Sequence, residues 1–144
     1  MPVQKEREPA VSPQISSNQE AVRAVIESWA AAVRARDYSG ILRNHSSDFV
    51  MFDVPPPFES VGLDEYRKTW DLFFSCNTGD IKFDIRDIRV VAGSDVAFAF
   101  TRMQCLTPNA SGKLEPLDFR LTVGLRKIDE QWTIVHEHHS VPAV

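Results

Sequence analysis

Phe119-Arg120-Leu121-Thr122-Val123-Gly124-Leu125-Arg126, followed after Asp129-Glu130-Gln131 by Trp132-Thr133-Ile134-Val135-His136-Glu137-His138-His139-Ser140-Val141-Pro142, is the stretch on which the fold turns. In the first segment the odd positions are apolar and the even ones are Arg, Thr, Gly and Arg, the period of a half-solvated strand. By the same rule His136, His138 and Ser140 share a face with Trp132 and Ile134, while Glu137 and His139 face the other way. The three polar residues between the segments make a short hairpin connection, so the two strands pair antiparallel.

Working outward, a period of two holds from Asp80 onward. It predicts four consecutive strands at about 81–92, 95–106, 115–128 and 132–141, with Asn109-Ala110-Ser111-Gly112 as a second tight connection. Ile81, Phe83 and Ile85 share one parity and Ile88 and Val90 the other, which predicts a bulge near Asp87. Before Asp80 the period is helical. Ser17-Asn18-Gln19-Glu20 has capping-box spacing, and Val22, Val25, Ile26, Trp29 and Val33 then form one stripe, giving a helix over 18–36. A short helix over 38–44, a strand over 48–54 stopped by Pro55-Pro56-Pro57, and a helix over 63–75 complete the order. Residues 1–16, with three prolines and little apolar content, are expected to be a mobile arm ahead of a single domain over 17–144. Three N-terminal helices packed on a curved antiparallel sheet make an α+β fold, and the cone-shaped hollow between them is where a small ligand would sit.

The bulk properties set the outer limits. A chain of 144 residues can bury a full core without disulfides or a structural metal. A net charge of -4, spread over both halves, offers no basic face for nucleic acid or anionic lipid. Cys76 and Cys105 lack metal-type spacing, no apolar run reaches the length of a membrane span, and the polar N-terminus is unlike a signal peptide. A cytoplasmic protein is expected, with no nucleic-acid or membrane partner and no cofactor.

The order of elements resembles the nuclear transport factor 2-like superfamily, and within it the SnoaL-like and ketosteroid-isomerase-like branch. The phrases that carry the resemblance are Trp132 to Pro142, Ala35-Arg36-Asp37-Tyr38 after the first helix, and Gly62-Leu63-Asp64-Glu65-Tyr66 opening the third. The association domain of calcium/calmodulin-dependent protein kinase II ends in a similar way. The resemblance implies a homodimer through the outer face of the sheet. It also implies that Asp53, at the end of the strand before the prolines, stands where a ketosteroid isomerase carries its general base. The tyrosine donor of that isomerase falls at Trp29 and its second, carboxylic acid, donor near Arg120, so a steroid isomerase proper is not expected.

Several residues are therefore candidates. Asp53 shares its parity with Phe49 and Met51 and would remove a proton next to a carbonyl group. Arg120, or His138 with Ser140 beside it, would stabilise the oxyanion that develops, and Trp29 and Trp70 would supply apolar wall. Arg102 and Arg120 could instead clamp a carboxylate, with His136 in support, in a non-catalytic binding or oligomerisation module. His136 and His138, two apart on a strand, are a minor metal candidate with Asp53 or His45, and no metal is expected. The leading expectation is a small-molecule pocket protein, catalysing cofactor-free proton transfer on a carbonyl compound if it is an enzyme.

Overall fold

The computed structural model describes residues 12–143; most of the expected arm lies outside these. Helix α1 (Pro13–Arg34) is followed by α2 (Tyr38–Leu42), β1 (His45–Phe52), β2 (Ser60–Val61), α3 (Leu63–Cys76), β3 (Phe83–Ala92), β4 (Val96–Pro108), β5 (Leu114–Ile128) and β6 (Gln131–Ser140). The α+β class and the order of long elements are as expected from the sequence. Helix α1 begins five residues early. Ser12 caps it by accepting from the Ile15 amide at 3.2 Å, and Pro13 follows in the first turn, where its missing N–H costs nothing.

The six strands form one curved sheet in the order β2-β1-β6-β5-β4-β3. All neighbours are antiparallel except β1 and β6, which run parallel. That pairing, between strands far apart in sequence, could not be read from local hairpin signals. The bulge expected near Asp87 is present: the β3–β4 register shifts between Ile85 and Asp87, leaving Arg86 as the extra residue.

A second bulge was not expected, and it decides the site. Gly124 pairs with His136 but Leu125 pairs with Ile134, so Val135 is extra in β6. Trp132 and Ile134 are buried before it, and Glu137 and His139 are buried after it. One inserted residue reverses the side-chain alternation from that point on.

The core lies between one face of the sheet and helices α1 and α3. From α1 come Val22, Ile26, Trp29, Ala30 and Val33, at helical spacing. From the sheet come Phe83, Ala99, Met103, Leu121, Val123 and Ile134. The Trp29 indole meets Phe83 edge-on at 5.2 Å and Trp70 at 6.0 Å, which ties α1, α3 and β3 together. Polar ties fix the helix ends. Asn18 donates to Gly93 O at 2.9 Å in the β3–β4 turn, and Arg34 donates to Phe83 O at 2.8 Å.

Ile26, fully buried in this layer, has no room to be replaced by anything smaller without leaving a hole. Ile26→Ala is expected to cost about 2–5 kcal/mol in urea unfolding, whereas Glu20→Ala on the exposed side of the same helix should stay within about 0.5 kcal/mol.

Candidate functional site

The space left between α3, the sheet and the proline loop is a cavity of about 540 Å³. Its walls are chiefly apolar: Met51 from β1, Trp70 and Phe73 from α3, Phe83 from β3, Leu117 and Phe119 from β5, and Val54 with Pro55, Pro56 and Pro57. The lining also carries polar and charged side chains, among them Asp53, Glu65, Lys68, Thr69, Asn77 and His139. An apolar hollow with a few placed polar groups is the usual form of a small-molecule site.

Behind His139 lies a buried network built from four elements. His139 Nε2 is 2.9 Å from Glu137 Oε1, and His45 Nε2 is 2.8 Å from Glu137 Oε2. The Tyr66 hydroxyl donates to the same Oε2 at 2.8 Å and accepts from Trp29 Nε1 at 2.9 Å. The side chains of His45 and Glu137 are 0% and 1% exposed. His45 Nδ1 is 3.1 Å from Arg43 O, so both its ring nitrogens face oxygen atoms.

Burial by itself pushes the Glu137 carboxyl upward. Hydrogen bonds from His139 and His45, with the histidine charges, more than offset this and hold it down at about 2. The Tyr66 hydroxyl is pushed the other way by burial and by the Glu137 charge beside it, so it stays a donor. Because Glu137 accepts at Nε2 of His139, Nδ1 is the nitrogen left for exchange with the cavity. The His139 ring is kept in plane by Phe119, stacked at 5.7 Å and 25°.

Asp53 follows β1 directly and lies half-buried on the cavity wall, accepting from the Val54 amide at 2.8 Å. Cys105 lines the same cavity, and burial, together with the Asp53 charge, pushes its thiol up to about 11. It is therefore a neutral thiol at physiological pH.

The other candidates fall in two groups. Trp70 lines the cavity, whereas Trp29 stands one layer back, holding Tyr66. Arg102, Arg120, His136, His138 and Ser140 are on the opposite face of the sheet, away from the cavity. Arg102 is exposed and pairs with Asp87 at 3.3 Å; Arg120 donates to Ser140 Oγ at 3.2 Å. His136 Nδ1 bonds Val50 O at 2.7 Å, and Phe52 packs edge-on against both His136 and His138. The corrections to Arg120 and Arg102 follow from strand parity, since Phe119, Leu121 and Met103 take the inner face. Those to His136, His138 and Ser140 follow from the extra Val135. Among the described residues no group of three or more His, Cys, Asp or Glu side chains is gathered for a metal.

Sequence reasoning set Glu137 and His139 on the wrong face, named His45 only as a metal candidate, and missed Tyr66 and Asn77. The available signal was Gly124, a lone glycine within a strand, which is where bulges often sit.

A curved sheet closed over a cavity by helices on one face places the chain in the nuclear-transport-factor-2-like, or cystatin-like, class of folds. The model of the SnoaL-like domain matches residues 22–144, and the chain belongs to that family. An NTF2-like protein of unknown function from Pseudomonas putida KT2440 is 31% identical, with 90% of this chain and 89% of that one covered and a TM-score of 0.80. A ketosteroid isomerase-like protein from Erwinia carotovora atroseptica SCRI1043 is 20% identical over 88% of this chain and 98% of that one, with a TM-score of 0.72. The association domain of C. elegans CaMKII is 15% identical over 90% and 100%, with a TM-score of 0.69. Among curated proteins nothing matches the chain.

A carboxyl held lower in the folded chain than in the unfolded one stabilises the fold above its unfolded value. That contribution is lost as the pH falls from about 4.5 towards 2. Denaturant unfolding across this window should show a loss on the order of 3 kcal/mol in the wild type and a flatter profile in Glu137→Gln. An equal slope in both would contradict the role given to Glu137.

Proposed function

We propose that this SnoaL-like protein binds a small carbonyl compound in the cavity and moves a proton on it without a cofactor. The observation that carries the reading is that Asp53 and His139 line one apolar cavity, with Glu137 bonded behind His139. The Asp53 carboxylate takes a proton from the carbon next to the carbonyl group, and the electron pair moves into the new C=C bond and onto oxygen. His139, protonated at Nδ1, donates to that oxygen, and the Glu137 carboxylate stabilises the imidazolium. Return of the proton to a different carbon completes an isomerisation; loss of a leaving group instead completes an elimination. Low dielectric in the cavity strengthens each of these interactions.

The carboxylate-clamp reading is less well supported, because Arg102 and Arg120 both point away from the cavity. Two free thiols suit a reducing compartment, in keeping with a cytoplasmic protein. Among the described residues no helix is long and apolar enough to cross a membrane.

Exchange of the α-protons of an aryl ketone in D2O, followed by NMR, tests the chemistry. Asp53→Asn should slow it by about 10²-fold or more, and His139→Gln by a smaller factor. Exchange unchanged in Asp53→Asn would remove the base assignment.

We further propose a homodimer through the outer sheet face. Phe98 and Phe100 are exposed there, stacked at 6.1 Å, with Val96 exposed on the same strand and Val91 on the neighbouring β3. Light scattering should give twice the chain mass for the wild type and one chain mass for Phe98→Asp with Phe100→Asp. A monomeric wild type would contradict this.

A further inference from the structure

Two histidines meet opposite oxygens of a single buried carboxylate: His139 Nε2 stands 2.9 Å from Glu137 Oε1, and His45 Nε2 stands 2.8 Å from Glu137 Oε2. The Tyr66 hydroxyl donates to Oε2 as well, and all four residues are buried. Charge that is not balanced is costly in such a place. With both rings neutral the cluster carries the carboxylate's negative charge. With one ring protonated it is neutral, and with both protonated it carries a positive charge. The balanced count is therefore one proton for two rings, and a proton on either ring opposes a proton on the other.

The groups around the cluster leave this count as it is. Burial and the Glu137 charge keep the Tyr66 hydroxyl un-ionised. Trp29 from α1, Phe49 from β1 and Phe119 from β5 pack on the cluster and carry no charge. The Arg43 side chain is exposed, although its carbonyl oxygen is 3.1 Å from His45 Nδ1. Asp53, Glu65, Lys68, Cys76 and Cys105 line the cavity, and among the described residues none of them is hydrogen-bonded to either ring. The two rings differ in what their outer nitrogens meet. Nδ1 of His45 faces backbone, whereas Nδ1 of His139 is the one left to the cavity.

We propose that His45 and His139 hold one proton between them across Glu137, which makes His45 a positioning residue that sets the pH range over which His139 is the charged donor to the oxyanion. The effect on catalysis rests on the proton-transfer reading above; the sharing itself rests only on the geometry of the cluster.

His45→Gln tests this, because the amide keeps a donor within reach of Oε2 but cannot take a charge. In a 15N–1H NMR titration of the ligand-free chain, the His139 midpoint should lie higher in His45→Gln than in the wild type, by about one pH unit or more. Lost packing alone would loosen Glu137 and move the midpoint down, so the sign separates the two causes. Coupling of this kind is reciprocal, so His139→Gln should raise the His45 midpoint by the same amount. Either variant decides the matter if the other does not fold. A midpoint that stays or falls would overturn the sharing. The pH profile of α-proton exchange of the aryl ketone is read separately, and its high-pH limb should move up with the His139 midpoint in His45→Gln. Raised midpoints with no exchange at any pH would leave the sharing standing and overturn the proton-transfer reading. Exchange with unmoved midpoints would do the reverse.

Discussion

A carboxylate with no solvent around it is the constraint on which the rest of the structure depends. Glu137 is 0% exposed, and an ionised group so placed is tolerated only if every lone pair that matters is met by a donor. Here the donors arrive from different parts of the chain: His45 from the start of β1, Tyr66 from α3, and His139 from two residues further along β6. The parallel β1–β6 pairing brings His45 alongside, opposite Ile134. Tyr66 brings α3 onto the sheet, and Trp29 brings α1 onto Tyr66. The network is thus the point where helices and sheet agree on one arrangement, and losing one donor would strand a buried charge.

The same network serves the cavity. A histidine on an apolar wall could turn its ring or choose either tautomer. Glu137 removes the choice by taking Nε2, and Phe119 removes the rotation by stacking. What faces the cavity is a single nitrogen at a fixed place, on the same cavity wall as a carboxylate, Asp53, that directly follows β1, the strand paired with β6. Support from behind and apolar walls in front are what acid–base chemistry on a carbonyl compound needs.

Much of the fold was legible in the sequence because it is carried by local periodicity. The helical stripe of α1, the alternation in β4 and β5 and the parity slip around Asp87 each report on themselves within a dozen residues. Asp53 and Trp70 were legible for the same reason, as polar and aromatic residues in line with core positions. The orientation of β6 was not legible. Val135 is apolar and sits in a run that alternates well enough without a bulge, so nothing in β6 alone reveals the extra residue. The slip exists only relative to β5, and the one local hint is Gly124. All the residues after Val135 were consequently assigned to the wrong face, and His138 was set in the cavity in place of His139.

The most direct measurement of the central claim is a pH titration of the histidine ring nitrogens by long-range 15N–1H NMR, with His139 assigned through His139→Gln. If Glu137 holds His139 as described, Nε2 keeps its proton throughout and Nδ1 alone gains and loses one, so that the neutral ring is the Nε2–H tautomer. A neutral His139 carrying its proton on Nδ1, with Nε2 free, would mean that Glu137 does not hold it, and the account of the site would fail with it.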